Sequence, residues 1–193
     1  GRFSVVVVDH GSSHRTRFAA RRLGAAHPNG ARLSVLRGLP LPPGWAGKMW
    51  AVATGLDHAD KADPDAPYLW LTDADIGHAP EVLRALVTRA EAGRFDLASV
   101  MALLHCKSMW ERLLIPAFVY FFQKLYPFAG VNDPKRPEAA AAGGCMLVRR
   151  AALERAGGVA AIRDQVIDDC ALARALKRAG PIWLGLTDTV ASR

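Results

Sequence analysis

Asp73-Ala74-Asp75 sets two carboxylates one residue apart, directly after the apolar run Tyr68-Leu69-Trp70-Leu71-Thr72. Carboxylates at that spacing suit a divalent cation and the phosphates it carries, because hard ions prefer charged oxygen ligands. The run before them reads as a buried strand, so both acids fall at its carboxyl end, where ligands sit in open α/β sheets. Acids are poor strand residues, which argues for a role outside folding. A plainer account is a turn whose acids cap the next helix near Ala79-Pro80-Glu81, and a lone D-x-D does not separate the two.

Four more clusters fall where such a sheet would present them. Asp9-His10-Gly11-Ser12-Ser13 follows the first apolar run, Gly47-Lys48 opens a helix after the second, and Gly143-Gly144 precedes a short strand. Asp168-Asp169 begins an amphipathic helix. There the helix dipole alone accounts for acids in a first turn. His10 and His78 lack the partner spacing of metal ligands and are not read as such.

The elements that must position these residues alternate between Val/Ile/Leu-rich runs and helical periods, the pattern of an α/β domain with a mostly parallel sheet. Strands are expected at residues 4–8, 31–37, 68–72, 96–104, 145–148 and 182–186. The first shows no alternation and so reads as buried on both faces. Helices are expected at 15–26, 46–59, 80–92, 108–126, 151–156 and 167–179. The breakers His27-Pro28-Asn29-Gly30, Gly157-Gly158 and Gly180-Pro181 close three of them. In the helix over 80–92, Val82, Leu83, Leu86 and Val87 share one face.

A chain of 193 residues with 51% apolar content predicts one globular domain over residues 1–193 and argues against disorder. The formal charge of +7 suits an acidic partner such as a nucleotide or an anionic membrane surface. The basic residues are scattered, however, and form no stripe for nucleic acid. Cys106, Cys145 and Cys170 have no C-x-x-C spacing and read as buried thiols of a reducing compartment. The longest apolar block, residues 113–122, carries Pro116 and is too short to span a bilayer. With no initiator Met and a strand almost at once, the chain reads as cut from something longer at both ends.

The series Asp9-His10-Gly11-Ser12, Gly47-Lys48-Met49-Trp50, Asp73-Ala74-Asp75, Gly143-Gly144-Cys145-Met146 and Ile167-Asp168-Asp169-Cys170 resembles, nearly end to end, family 2 glycosyltransferases with the GT-A nucleotide-diphospho-sugar transferase fold. The blocks Leu41-Pro42-Pro43-Gly44-Trp45, Leu113-Leu114-Ile115-Pro116 and Gln123-Lys124-Leu125-Tyr126-Pro127-Phe128 are similar to the hopene-associated, membrane-linked branch of hopanoid-making bacteria. The resemblance implies an inverting transfer of sugar from a nucleotide-diphosphate donor, taken as UDP-linked, to a hopanoid-like lipid at the cytoplasmic face of the inner membrane. It implies that Asp9 meets the base or ribose, Lys48 the diphosphate, and Asp73 the ribose. Asp75 would hold Mg²⁺ or Mn²⁺, while Gly143 and Gly144 would let backbone approach sugar or acceptor. Asp169 would be the general base on the acceptor hydroxyl.

The pattern departs from the family at His10, where a second Asp is frequent, and no counterpart of the family's first strand precedes Gly1. A catalytically incomplete nucleotide-binding fragment is therefore an alternative. A D-x-D phosphoryl-transfer enzyme is another, disfavoured because Ile76-Gly77-His78 follows the acids. The aromatic stretch from Trp110 to Phe128 is either a core helix or a segment lying in a membrane headgroup region, with Arg112 and Lys124 toward phosphates. Its position between the D-x-D and Gly143-Gly144 favours the interface.

Overall fold

A computed structural model describes residues 3–12 and 15–192 of the chain. Two compact units emerge. One comprises the residues up to Ala66 together with Val159–Val166, and the other comprises Pro67–Gly158 with the residues from Ile167 onward.

In the first unit, β1 (Val5–Asp9) and β2 (Leu33–Arg37) pair in parallel, with Val5 opposite Leu33 and Asp9 opposite Arg37. The intervening α1 (Thr16–Ala26) packs on β2, where Gly24 lies so close to Leu33 that a Cβ would collide with its side chain. The following helix, α2 (Gly47–Ala62), lies on β1, and Gly55 lets it approach Val6 and Val8. The expectation that β1 is buried on both faces fails. Val6 and Val8 are half-covered, whereas Val5 and Val7 are 41% and 36% exposed. Four consecutive valines carry no alternation, so the sequence holds no sign of which face is covered.

The second unit is built on a five-stranded sheet. Its strands are β3 (Tyr68–Leu71), β4 (Ile76–His78), β5 (Leu97–Leu103), β6 (Met146–Arg149) and β7 (Ile182–Ser192), ordered β3-β6-β5-β7-β4. The sheet is mixed, not mostly parallel: β5 and β7 run parallel, while β3–β6, β5–β6 and β4–β7 are antiparallel. A short apolar run reads the same in either direction, so the α/β class was legible and the strand sense was not.

Helices cover this sheet because their apolar stripes match it. In α3 (Val82–Gly93), Val82, Leu86 and Ala90 recur at the four-residue spacing of one helix face. They pack with Ala98, Val100, Leu147 and Val190 in one core cluster. The helix α7 (Asp168–Lys177) buries Cys170, Ala171, Leu172, Ala173 and Leu176. Shorter helices, α5 (Phe128–Asn132) and α6 (Arg150–Arg155), contact β7 and β6. The Asn132 side-chain amide both donates to Leu184 O and accepts from Leu184 N–H, at 2.9 and 2.7 Å, as a neighbouring strand would.

α4 (Met109–Leu125) begins with a capping box. Ser108 Oγ accepts from Glu111 N–H, and the Glu111 carboxylate accepts from Ser108 N–H and Lys107 N–H. These backbone bonds hold the Glu111 carboxyl below its ordinary range. The helix continues across Pro116 and has no buried residue. Glu111, Ile115, Val119, Phe122 and, at the cap, Tyr126 are half-covered along one stripe, and the remaining face is bare. Eight large apolar side chains from Met109 to Leu125 are 55–72% exposed. No helix among the described residues is long and apolar enough to cross a membrane.

Candidate active site

The D-x-D lies where β3 ends, but it does not lead into a helix. Asp73 to Ile76 form a tight turn, with Ile76 N–H donating to Asp73 O, and the chain enters β4 against Val190–Ser192 of β7. Asp73 is half-buried and Asp75 is exposed at the turn. The helix-capping account of these acids is thereby removed, since three strand residues separate them from Ala79.

Next to this turn stands the Gly143-Gly144 loop, gripped at successive residues. Ser99, fully buried in β5, accepts from Ala142 N–H at 2.9 Å through its hydroxyl. Asp169 Oδ2 accepts from Gly143 N–H at 3.0 Å. Thr72 Oγ1 donates to Gly144 O at 2.9 Å, and Trp70 Nε1 donates to Cys145 Sγ at 3.4 Å. A Cβ on Gly144 would stand 3.2 Å from the Ile76 side chain, a tight approach that Ile76 would have to yield to. Three predicted residues of this unit, Gly143, Gly144 and Asp169, therefore join one network with Thr72, the residue before Asp73.

Of the acidic pair that opens α7, Asp168 is buried and Asp169 half-buried. The Asp169 carboxylate also accepts from Cys170 N–H at Oδ1, at 2.7 Å. Each of its oxygens keeps a second lone-pair direction, so the group is oriented by backbone yet still able to accept a proton.

In the first unit, Asp9 is the last residue of β1 and Lys48 lies in the first turn of α2. Asp9 accepts from Ser12 N–H at 3.1 Å and faces Arg17 at 3.4 Å, and the Ser12 bonds followed by the Arg17 charge hold its carboxyl below the ordinary value. His10 abuts Gly38 and Gly47, where added Cβ atoms would come within 2.7 and 3.7 Å of its ring, so the two segments adjoin. Lys48 is exposed at a helix start with no acid in the first turn and no side-chain cap. That placement opposes the helix dipole.

The family model for glycosyl transferase family 2 matches residues 1–157. The chain belongs to that family. No curated protein matches it. Among solved structures, it is similar to glucosyl-3-phosphoglycerate synthase from Mycobacterium tuberculosis in complex with phosphoglyceric acid, at 17% identity and a TM-score of 0.53. That likeness covers 98% of this chain and 61% of the synthase chain, and it establishes the GT-A-like fold. The α7 acids of this family 2 transferase lie beyond the matched segment, so Asp169 stands on its geometry. Family membership displaces the phosphoryl-transfer alternative.

Among the described residues, no group of three or more His, Cys, Asp or Glu side chains could hold a metal unaided. A Mg²⁺ or Mn²⁺ ion is nonetheless compatible with Asp75, because such ions are commonly held by one or two carboxylates plus substrate phosphates. Sequence reasoning missed Thr72, Ser99 and His78, since isolated hydroxyls and a single histidine carry no spacing signal. It also read all three thiols as buried. Cys145 and Cys170 are, and burial raises both thiols, whereas Cys106 is exposed on the approach to α4.

Proposed function

We propose that this chain carries the catalytic machinery of an inverting glycosyltransferase that moves a sugar from a nucleotide-diphosphate donor, taken as UDP-linked, to a lipid acceptor. The observation that carries the reading is the bond from Gly143 N–H to Asp169, in a loop tied through Thr72 to the start of the turn bearing Asp73 and Asp75. A carboxylate held beside a donor-type D-x-D is what direct displacement requires. Asp169 takes the acceptor hydroxyl proton as that oxygen bonds to the anomeric carbon. The bond from that carbon to the diphosphate breaks on the opposite side, which inverts the configuration. In this reading Asp9 would meet the base or ribose, Asp73 the ribose and Lys48 the diphosphate, and Asp75 would hold Mg²⁺ or Mn²⁺. The ion, when bound, neutralises charge on the departing diphosphate.

The lipid acceptor, with a hopanoid-like compound the first candidate, rests on α4. Its bare aromatic face, flanked by Arg112 and Lys124, suits the headgroup region of an anionic membrane, the cytoplasmic face of a bacterial inner membrane in this reading. Tyr126, at the end of the covered stripe of α4, lies beside Cys170 of α7, which with burial raises its phenol pKa, so that end of α4 meets the helix carrying Asp169. The test is calorimetry of UDP with and without Mn²⁺ on the full-length protein. Binding is expected to need the ion and to be lost in Asp75→Asn. Ion-independent binding that survives the substitution would remove the donor assignment.

A further inference from the structure

Thr72 Oγ1 lies within hydrogen-bond distance of three partners: Gly144 O at 2.9 Å, Asp73 O at 3.2 Å and His78 Nε2 at 2.8 Å. A hydroxyl has one proton to give. Both carbonyls can only accept, so a hydroxyl that gives its proton to either of them must accept from His78, whereas donation to His78 would leave both carbonyl contacts unmade. In the arrangement that keeps a carbonyl bond, the imidazole carries its proton on Nε2 and Nδ1 is left with a bare lone pair. Nδ1 is buried without a hydrogen-bond partner among the described residues, and a proton on Nε2 avoids leaving a buried N–H there without an acceptor. The ring is held in place by Trp70, with centroids 4.6 Å apart, and by the pairing of β4 with β7.

Gly144 O is the nearer carbonyl. His78 thus aims the Thr72 hydroxyl, and Thr72 anchors the loop whose preceding residue, Gly143, donates to Asp169. We propose that Thr72, oriented by His78, is a positioning residue of the site: it fixes the Gly143-Gly144 loop to the end of β3 and thereby sets the direction of the Asp169 carboxylate. Its effect on turnover rests on Asp169 being the base, whereas its effect on the loop does not.

The experiment separates those two statements. In the full-length protein, Thr72→Val keeps the shape and removes the hydroxyl, Thr72→Ser restores it, and His78→Phe removes the donor that aims it. Amide hydrogen exchange at Gly143 reads the loop. Calorimetry with UDP and Mn²⁺ reads the donor site, and UDP release from a panel of UDP-sugars with lipid extract reads turnover.

Thr72→Val and His78→Phe are expected to speed exchange at Gly143 by about tenfold and to lower kcat by about tenfold, with UDP affinity within about twofold of the parent. Thr72→Ser is expected to match the parent. Unchanged exchange in Thr72→Val, or a Thr72→Ser variant as impaired as the valine one, would overturn the proposal. So would a parallel loss of UDP affinity. Should the valine variant fail to fold, nitrogen NMR of His78 in the parent decides, since a proton on Nδ1 contradicts the bonding scheme. Faster exchange at Gly143 with turnover insensitive to both Thr72→Val and Asp169→Asn would keep the loop anchor and remove Asp169 as base.

Discussion

Replacing Asp169 by Asn tests base and scaffold together, and the structure lets the two effects be separated. The carboxylate accepts one backbone N–H on each oxygen, from Gly143 at 3.0 Å and from Cys170 at 2.7 Å. An amide offers only one oxygen, so its NH₂ must face one of those N–H groups, donor against donor. One bond in a half-buried site is lost, which costs about 1–3 kcal/mol of stability. The Cys170 bond is local to the first turn of α7 and is the easier to keep, so Gly143 is the group released. Loss of the base should lower turnover by roughly a hundredfold to ten-thousandfold, while UDP affinity stays nearly constant. Urea unfolding, initial rates and calorimetry on the full-length protein measure the three quantities. A turnover loss under about tenfold would refute Asp169 as base. A loss of UDP affinity as large as the loss of turnover would make it a donor-site residue, and unchanged stability would refute the paired N–H geometry.

Lys177→Met should destabilise the protein by about 3 kcal/mol, because Nζ donates to the carbonyls of Gly130, Val131 and Glu138 in a site where burial already lowers its pKa. Thermal unfolding should show a Tm lower by roughly 6–12 °C, and an unchanged Tm would mean those carbonyls find other donors. Burial lowers the His78 pKa from an ordinary 6.5, so the unfolded chain takes up that proton first. The associated stability is intact above pH 6.5 and falls as pH drops through it; melts of the parent should lose more stability on acidification than melts of His78→Gln, and equal losses would contradict the shift. Sedimentation with anionic liposomes should be lost on replacing Leu114, Phe118 and Phe121 by Ser, all three bare on α4, while Phe122, packed against Tyr126 and Phe128, is left alone. Binding that survives the triple substitution would remove α4 as the contact.

The features legible in the sequence were those with a period or a spacing. The stripe of α3, the strand ending at the D-x-D and the acids opening α7 all stand where residue pattern put them. Shorter or mixed signals were lost. β4 is three residues, Ile76-Gly77-His78, between a turn and a proline, and no pattern can mark so brief a strand. β7 was expected to stop at Leu186, where the polar residues Thr187-Asp188-Thr189 follow its apolar run. It continues to Ser192 since β5 and β4 pair along it and satisfy its backbone. The bareness of α4 was also hidden: a wide aromatic face has the same composition whether it meets a core or a membrane.

Legibility of the site residues depended on whether they violate a local rule. Lys48 puts a positive charge at the positive end of α2, and Asp73 and Asp75 follow a strand that has no use for them, so each is conspicuous against its surroundings. Asp169 is the opposite case. An acid in the first turn of α7 is what the helix dipole favours, and its bonds to Gly143 and Cys170 are what a well-made helix start would contain. The residue proposed to do the chemistry is therefore the one that local physics explains most completely. Its assignment rests on the tertiary bond to Gly143, twenty-six residues away in sequence, which no local rule demands. Functional residues that strain their surroundings can be found by reading along the chain. Those that also serve the fold come to notice only when the chain is closed on itself.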